Sequence, residues 1–332
     1  MYEVGMKAGK LKESILKRSV LKQLHKRRED TLVAPAVGGD YGAMGISDDV
    51  AIVLSSDPVT LTKESVGSTA LIAACNDVAC SGATPIGVSA TILLPTSSNE
   101  EELRGLLKDM ESAAKECNVD IISGHTEVTR AVKEPLVVVT AMGKVQKNQM
   151  LHSNNVRPGM DIVATKWVGL EGTAILAKER EAELRTRYAQ PFIDNAKKYG
   201  QFMSIIPEAA VASKSGASAM HDVSEGGIFG ALWELANSAG VGLEIDLKKI
   251  PIRQETIEIC EFFDLNPYKM LSGGSLLIAA EDGNEVVREL EKASIPAVVI
   301  GKATDSNDRV LISDDERRFL ETTQTDELLS LE

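Results

Sequence analysis

The sequence predicts an α/β protein of the mixed α+β kind, built as two domains. At roughly 100 to 200 residues per domain, 332 residues are too many for one ordinary domain. Runs of β type alternate with helical ones, which is how layered α/β folds read. Arg157-Pro158-Gly159 is the clearest turn in the middle of the chain, and beyond it strands alternate with longer helices. The boundary is therefore placed near residue 155, giving domains 1–155 and 156–332.

Taken in order, the first 28 residues carry nine Lys or Arg against Glu3 and Glu13, a local charge of +7. Leu11, Ile15, Val20, Leu21 and Leu24 give them a helical apolar stripe, which predicts a docked surface helix with a solvated basic face. The other reading is an anion-contacting arm. A Gly-rich stretch follows from Ala34 to Gly45, then a strand over Val50 to Ser55 ending at Asp57-Pro58. Thr69 to Cys80 reads as an Ala-rich apolar helix stopped by Ser81-Gly82. Ile86 to Leu94 is a β run, and Ser98 with Glu101 resembles a capping box opening an amphipathic helix over 103–117. Strands are predicted at Asp120 to Ser123 and Leu136 to Gly143, with Gly124-His125-Thr126-Glu127 as a loop after the first. The second half reads strand 161–165, helix 172–183, strand 217–221, helix 224–239, strand 242–246, helix 255–263, strand 275–280, helix 285–293 and strand 297–301.

Charge narrows the partners. Asp plus Glu number 49 against 36 Lys plus Arg, a net −13, so nucleic acid and anionic membrane surfaces are excluded as expected partners. No apolar run approaches the roughly 20 residues that span a bilayer, and no secretory h-region opens the chain. A cytoplasmic protein with reduced thiols is expected, since Cys75, Cys80, Cys117 and Cys260 include no CxxC pair and no zinc-ligand spacing. Phosphate-loop, dinucleotide, nucleophile-elbow and HExxH signatures are all missing.

What remains is a set of acids at element ends. Asp40 lies in the Gly-rich loop, Asp57 ends a strand, Glu127 and Asp222 follow strands, and Asp77 sits among Ala73, Ala74, Val78 and Ala79. An isolated buried carboxylate needs a partner, and for Asp77 that is Asn76, a backbone cap or a cation. Carboxylates converging on Mg²⁺ would let an acidic protein hold a polyphosphate. Taken singly, each is equally a turn or cap residue. His221-Asp222-Val223-Ser224-Glu225-Gly226-Gly227 ends a strand and opens a helix, which suits an anion site at a helix start. Its plain alternative is a helix capped by Ser224.

Together these motifs resemble one family. Gly38-Gly39-Asp40, Ser56-Asp57-Pro58, Asn76-Asp77-Val78-Ala79 with Ser81-Gly82-Ala83-Thr84-Pro85, Gly124-His125-Thr126-Glu127, and Asp222-Val223-Ser224-Glu225-Gly226-Gly227 follow the order and approximate spacing of the AIR synthase-related (PurM-like) superfamily. The Gly-His-Thr-Glu and His-Asp-x-x-Glu-Gly-Gly forms, with Leu271 to Leu276, are most similar to its HypE-like, hydrogenase-maturation branch. The resemblance implies an N-terminal sheet domain that pairs into a β-barrel across a homodimer, a C-terminal α/β sandwich, and ATP with Mg²⁺ beneath the Gly-rich loop. It implies Asp40, Asp57, Asp77 and Asp222 as metal ligands. Lys10, Asp40, Asp57, Asn76, Asp77, Gly124, Thr126 and Glu127 would contact the nucleotide, and Lys7 would join Lys10 in reaching phosphates. Asp222, Glu225 and His125 are the implied catalytic groups. The implied activity is ATP-dependent activation of an amide or carbonyl oxygen of a small acceptor, with a maturation-complex protein as a further partner. The alternatives are the purine-pathway cyclo-ligase and a non-catalytic nucleotide-binding partner. The terminal cysteine that carries the carbamoyl group in the maturation factor has no counterpart in Leu329-Ser330-Leu331-Glu332, so thiocyanate carriage is not expected.

Overall fold

The computed structural model describes residues 9–322 and 325–331, which form two sheets that meet along one helix. The first sheet holds β1 (Thr31–Val33), β2 (Gly42–Gly45), β3 (Val50–Val59), β4 (Thr84–Pro95), β5 (Asp120–Thr129) and β6 (Leu136–Gln146), in the order β1-β2-β3-β6-β4-β5. Only the β4–β5 pairing is parallel, and β5 lies at an edge. Side chains alternate across a strand, so Ala51, Val53 and Ser55 of β3, and Val137, Val139 and Ala141 of β6, turn inward together. Helix α1 (Glu13–Ile15) precedes the sheet, and α2 (Val66–Cys80) and α3 (Glu100–Cys117) cover it.

Helix α2 is apolar nearly all round, and such a helix must be buried on every side. It packs on β3 and β6, against α3, and at its C-terminal end into the second half, where Ala79 and Cys80 join the core of β8, β10 and α7. Gly143 is what lets it sit so close to β6: a Cβ there would lie 2.3 Å from Val78 Cγ1. In contrast α3 buries only Met110, Ala113, Ala114 and Cys117. Its N-cap is Asn99, reciprocated by Glu102, one residue later than the Ser98–Glu101 box expected from sequence. Asn and Ser cap equally well, so spacing alone did not separate them.

The second sheet holds β7 (Asp161–Thr165), β8 (Ala217–Val223), β9 (Gly242–Asp246), β10 (Ser275–Ala280), β11 (Ala297–Thr304), β12 (Arg309–Ser313) and β13 (Glu316–Phe319), in the order β13-β12-β9-β11-β7-β10-β8. Its helices are α4 (Leu170–Glu179), α5 (Glu181–Leu184), α6 (Gln190–Lys197), α7 (Ile206–Ala212), α8 (Gly227–Ala239), α9 (Gln254–Phe263) and α10 (Gly283–Lys292). Among its pairings only β9 with β12 is parallel, which makes the half α+β despite its alternating sequence. Strands β7 and β10 are buried throughout because helices cover both faces.

Two sequence expectations change here. Residues 13–23 form only short, irregular helical turns, and Leu11, Val20 and Leu24 are 39, 36 and 52% exposed, so no apolar stripe docks them. Lys7 lies outside the described residues. Gly124 to Glu127 belong to β5 itself rather than to a loop after it, because Thr126 and Val128 keep the chain extended. Among the described residues no helix is long and apolar enough to cross a membrane.

The segment Phe202–Ile205 ties the halves together. Asn76 of α2 donates from Nδ2 to the Met203 carbonyl at 2.8 Å and accepts the Ile205 N–H at 2.9 Å. From the other side Lys166 Nζ donates to the carbonyls of Phe202 and Ser204 and pairs with the equally buried Glu208 at 2.7 Å. Removing one partner of such a pair strands the other charge. Lys166→Met is therefore expected to destabilise the protein by about 3 kcal/mol, read as a lower urea midpoint at unchanged slope.

Candidate functional site

A cavity of about 590 Å³ opens between the two halves. Four acids from four different elements reach it. Asp40 comes from the loop before β2, Asp57 from β3, Asp77 from α2, and Asp222 from the end of β8. Local sequence places each. Gly38 adopts φ +69° and lies so close to α8 that a Cβ would be 2.5 Å from the Glu234 carbonyl, so only glycine lets the loop deliver Asp40 there. The neighbouring Tyr41 anchors the loop by donating to the Leu151 carbonyl. Asp57 shares a strand face with Ser55, and Asp77 is one residue from the Val78 contact with β6.

The acids form two groups. Ser55 Oγ lies 2.8 Å from Asp57 Oδ2 and 2.6 Å from Asp77 Oδ2. A hydroxyl has one proton, so the second contact calls for a proton on a carboxyl. Asp77 is the one that keeps it: burial, then Asp222, Asp57 and Asp40, push it well above the usual carboxylate range. In the second group Asp40, Asp222 and Cys80 place one donor atom each within 4.8 Å of one another. Burial and Asp40 push Asp222 up to about 7, against the pull of His221 and Lys10.

Cationic groups hold this cluster in place. His221 Nδ1 lies 2.7 Å from Asp40 Oδ1, and its Nε2 lies 3.3 Å from Glu234 Oε2. Burial works against the imidazolium, but the two acids keep His221 well above its ordinary value. Glu234 in turn faces Lys10 Nζ at 3.5 Å. Burial opposes its ionisation, yet Lys10 and His221 hold it down to about 2. The Lys10 backbone N–H donates to Glu225 Oε1 at 2.8 Å, which ties the N-terminal arm to the start of α8. The arm thus lines the cavity through Lys10 to Ser14.

Several expected contacts differ. Helix α8 begins after Gly226, in a left-handed conformation, and not at Ser224. The anion at that helix start is the chain's own Asp326, whose Oδ2 accepts the Gly226 N–H at 2.7 Å. Asn76 does not line the cavity, because both ends of its amide are taken up by Met203 and Ile205. Gly124, His125, Thr126 and Glu127 are absent from the cavity wall of this chain. They lie exposed on β5, where His125 Nε2 meets Glu127 Oε2 at 3.3 Å. Sequence reasoning passed over Ser55, Cys80, Glu234 and Asp326. Glu234 falls inside the expected helix 224–239 with nothing to single it out, and Asp326 lies 100 positions from Gly226.

The arrangement concentrates negative charge with too few cations to balance it. Its donor set of carboxylate oxygens suits hard divalent ions, and Lys10 at the mouth suits a phosphate, so the residues present fit Mg²⁺ and a nucleotide polyphosphate.

Comparison with known proteins agrees with the motifs. Residues 38–145 match the AIR synthase related protein, N-terminal domain, and residues 157–314 the AIR synthase related protein, C-terminal domain. A hydrogenase expression/formation protein of Methanocaldococcus jannaschii is 26% identical over 92% of this chain and 91% of its own. The carbamoyl dehydratase HypE of Rhizobium leguminosarum bv. viciae is 27% identical over 75% of this chain and 71% of its own. The crystal structure of the hydrogenase maturation protein HypE in complex with ATP superposes with a TM-score of 0.71 at 18% identity, covering 96% of this chain and 94% of that one. With both domain matches in sequence order and the acids of its motifs gathered at one cavity, this chain belongs to the AIR synthase related protein family, in its HypE-like branch.

Proposed function

We propose that the chain is an ATP- and Mg²⁺-dependent enzyme that activates an amide or carbonyl oxygen of a small acceptor. The observation that carries the reading is the convergence of Asp40, Asp57, Asp77 and Asp222 on one cavity beside Lys10. ATP-bound and dehydratase relatives support it. Bound Mg²⁺ and ATP would supply a transferable phosphoryl group and the neutralising charge for its transfer. Asp57 and Asp77, set by Ser55, and Asp40, set by His221, would hold the ions. Lys10 neutralises phosphate charge at the mouth. Asp222 faces Asp40 from the end of β8 and would close the ion site from the second half. Glu225 keeps the arm, and with it Lys10, over the site. Titration calorimetry with a non-hydrolysable ATP analogue tests this: micromolar binding that requires Mg²⁺ is expected, and no binding with or without the ion would overturn it.

The division at residue 155 and a homodimer belong to the same reading. Strand β5 is an unpaired edge with Ile122 and Val128 58 and 59% exposed, and such edges pair unless blocked. Joined to its counterpart in a second copy, as in the family's barrel, it would carry Gly124, His125, Thr126 and Glu127 toward a nucleotide. Ile122→Lys is expected to shift the protein from dimer to monomer in light scattering, and an unchanged mass would remove this role from β5. A protein of a hydrogenase-maturation assembly is the partner that the relatives' roles support.

A further inference from the structure

We propose that Asp40, Cys80 and Asp222 form a separate cation position that selects a late first-row divalent metal, such as Zn²⁺ or Co²⁺, over Mg²⁺. This rests on the reading above only in taking the cavity to hold divalent ions. The three donors come from the loop before β2, the last turn of α2 and the end of β8, and fall within 4.8 Å of one another. Metal–oxygen and metal–sulfur bonds of about 2.0–2.3 Å need them only modestly closer.

The sulfur is the distinguishing feature. Cys80 is 1% exposed, and its sulfur faces the backbone N–H of Asp222. Yet it points at two carboxylates, Asp40 and Asp222, that line the cavity and give an ion its way in. The other cysteines are placed differently: Cys75 and Cys117 neighbour each other between α2 and α3, and Cys260 contacts Met270. Without a cation the Cys80 thiol keeps its proton, since burial and the surrounding acids push it up. A bound metal displaces that proton to solvent and takes the thiolate as ligand. Thiolate donors favour late transition ions, whereas Asp57 and Asp77, bridged by Ser55, offer only oxygen and favour Mg²⁺. One cavity would then hold two chemically distinct ions, a hard one against β3 and a softer one against α2 and β8. His221, gripping Asp40, fixes the second position and not the first.

Adding Co²⁺ to the metal-free protein is expected to raise a near-ultraviolet thiolate-to-cobalt charge-transfer band that saturates at one equivalent, survives excess Mg²⁺ and disappears in Cys80→Ala. X-ray absorption on the Zn²⁺-loaded native chain is expected to show one sulfur neighbour, a measurement that needs no variant to fold. No band, a band unchanged in Cys80→Ala, or a zinc shell without sulfur would overturn the proposal. Any of these can occur while Mg²⁺-dependent nucleotide binding remains, so its failure is distinct from failure of the enzymatic reading.

Discussion

Asp77→Asn is expected to weaken Mg²⁺-dependent binding of an ATP analogue roughly a thousandfold, about 4 kcal/mol at 1.4 kcal/mol per tenfold, and to raise the melting temperature of the nucleotide-free protein. The two signs come from one fact. The Asp77 carboxyl is buried beside Asp57, Asp222 and Asp40, and burial with like charge penalises its ionised form. A cation turns that penalty into affinity. An amide of the same shape can still hydrogen bond Ser55 but offers no charge, so it relieves the apo protein and loses the ion. Stability and function oppose each other at such a residue. Asp109→Asn is the control, because Asp109 caps Ser68 on the same helix and lies outside the acid cavity. It should leave nucleotide affinity unchanged. If Asp77→Asn binds the analogue as tightly as the native chain in calorimetry, Asp77 is a core residue and no ligand.

That Asp77 stood out in the sequence, while Glu234 did not, shows what a linear reading can reach. A carboxylate among alanines and valines violates the cost of burying charge, so it announces itself. Asp40, Asp57 and Asp222 were legible through the motifs they sit in, although Asp57 lies inside β3 and does not end it. Most elements were legible too, because periodicity survives in a single sequence, as in the matching limits of β7, β9 and β10. Partners were not. Asn76 and Asp77 are adjacent, yet one clamps a backbone segment more than a hundred residues away and the other faces the cavity. Nothing in the dipeptide tells them apart; a helix turns about 100° per residue, and only the packing of α2 between two halves decides which face is which. His221, Cys80 and Asp326 are functional neighbours only because β8, α2 and the C-terminal segment meet in three dimensions. The Gly-His-Thr-Glu stretch was misread as a loop because its glycine, which elsewhere marks a turn, here admits the close approach of β4. A Cβ on Gly124 would be 2.4 Å from the Ala90 carbonyl.

The nucleotide-free, metal-free protein is expected to lose stability steadily as pH rises from about 5.5 to 8.5, and Mg²⁺ is expected to restore it mainly at the alkaline end. Asp326 is pushed up to about 6 by burial, Asp222 to about 7 by burial and Asp40, and Glu171 to about 8 by burial. Each folded value lies above the unfolded value near 4. Below pH 4 both states hold the proton; above it the unfolded chain releases the proton while the folded chain retains it. Stability is therefore fully present at low pH and is lost as pH climbs through each folded value. His221, also raised, acts in the same direction. Glu234, held down to about 2, adds a constant contribution over this range and changes only in acid. At about 1.4 kcal/mol per unit, Asp222 alone accounts for roughly 2 kcal/mol between pH 5.5 and 7. At about 2 °C per kcal/mol for a chain of this size, the melting temperature in a chelator should fall by on the order of 10 °C across the range. Mg²⁺ binds the ionised carboxylates, so its stabilisation grows with pH by mass action. A melting temperature that stays level or rises from pH 5.5 to 8.5 without metal would mean that burial does not hold these acids protonated.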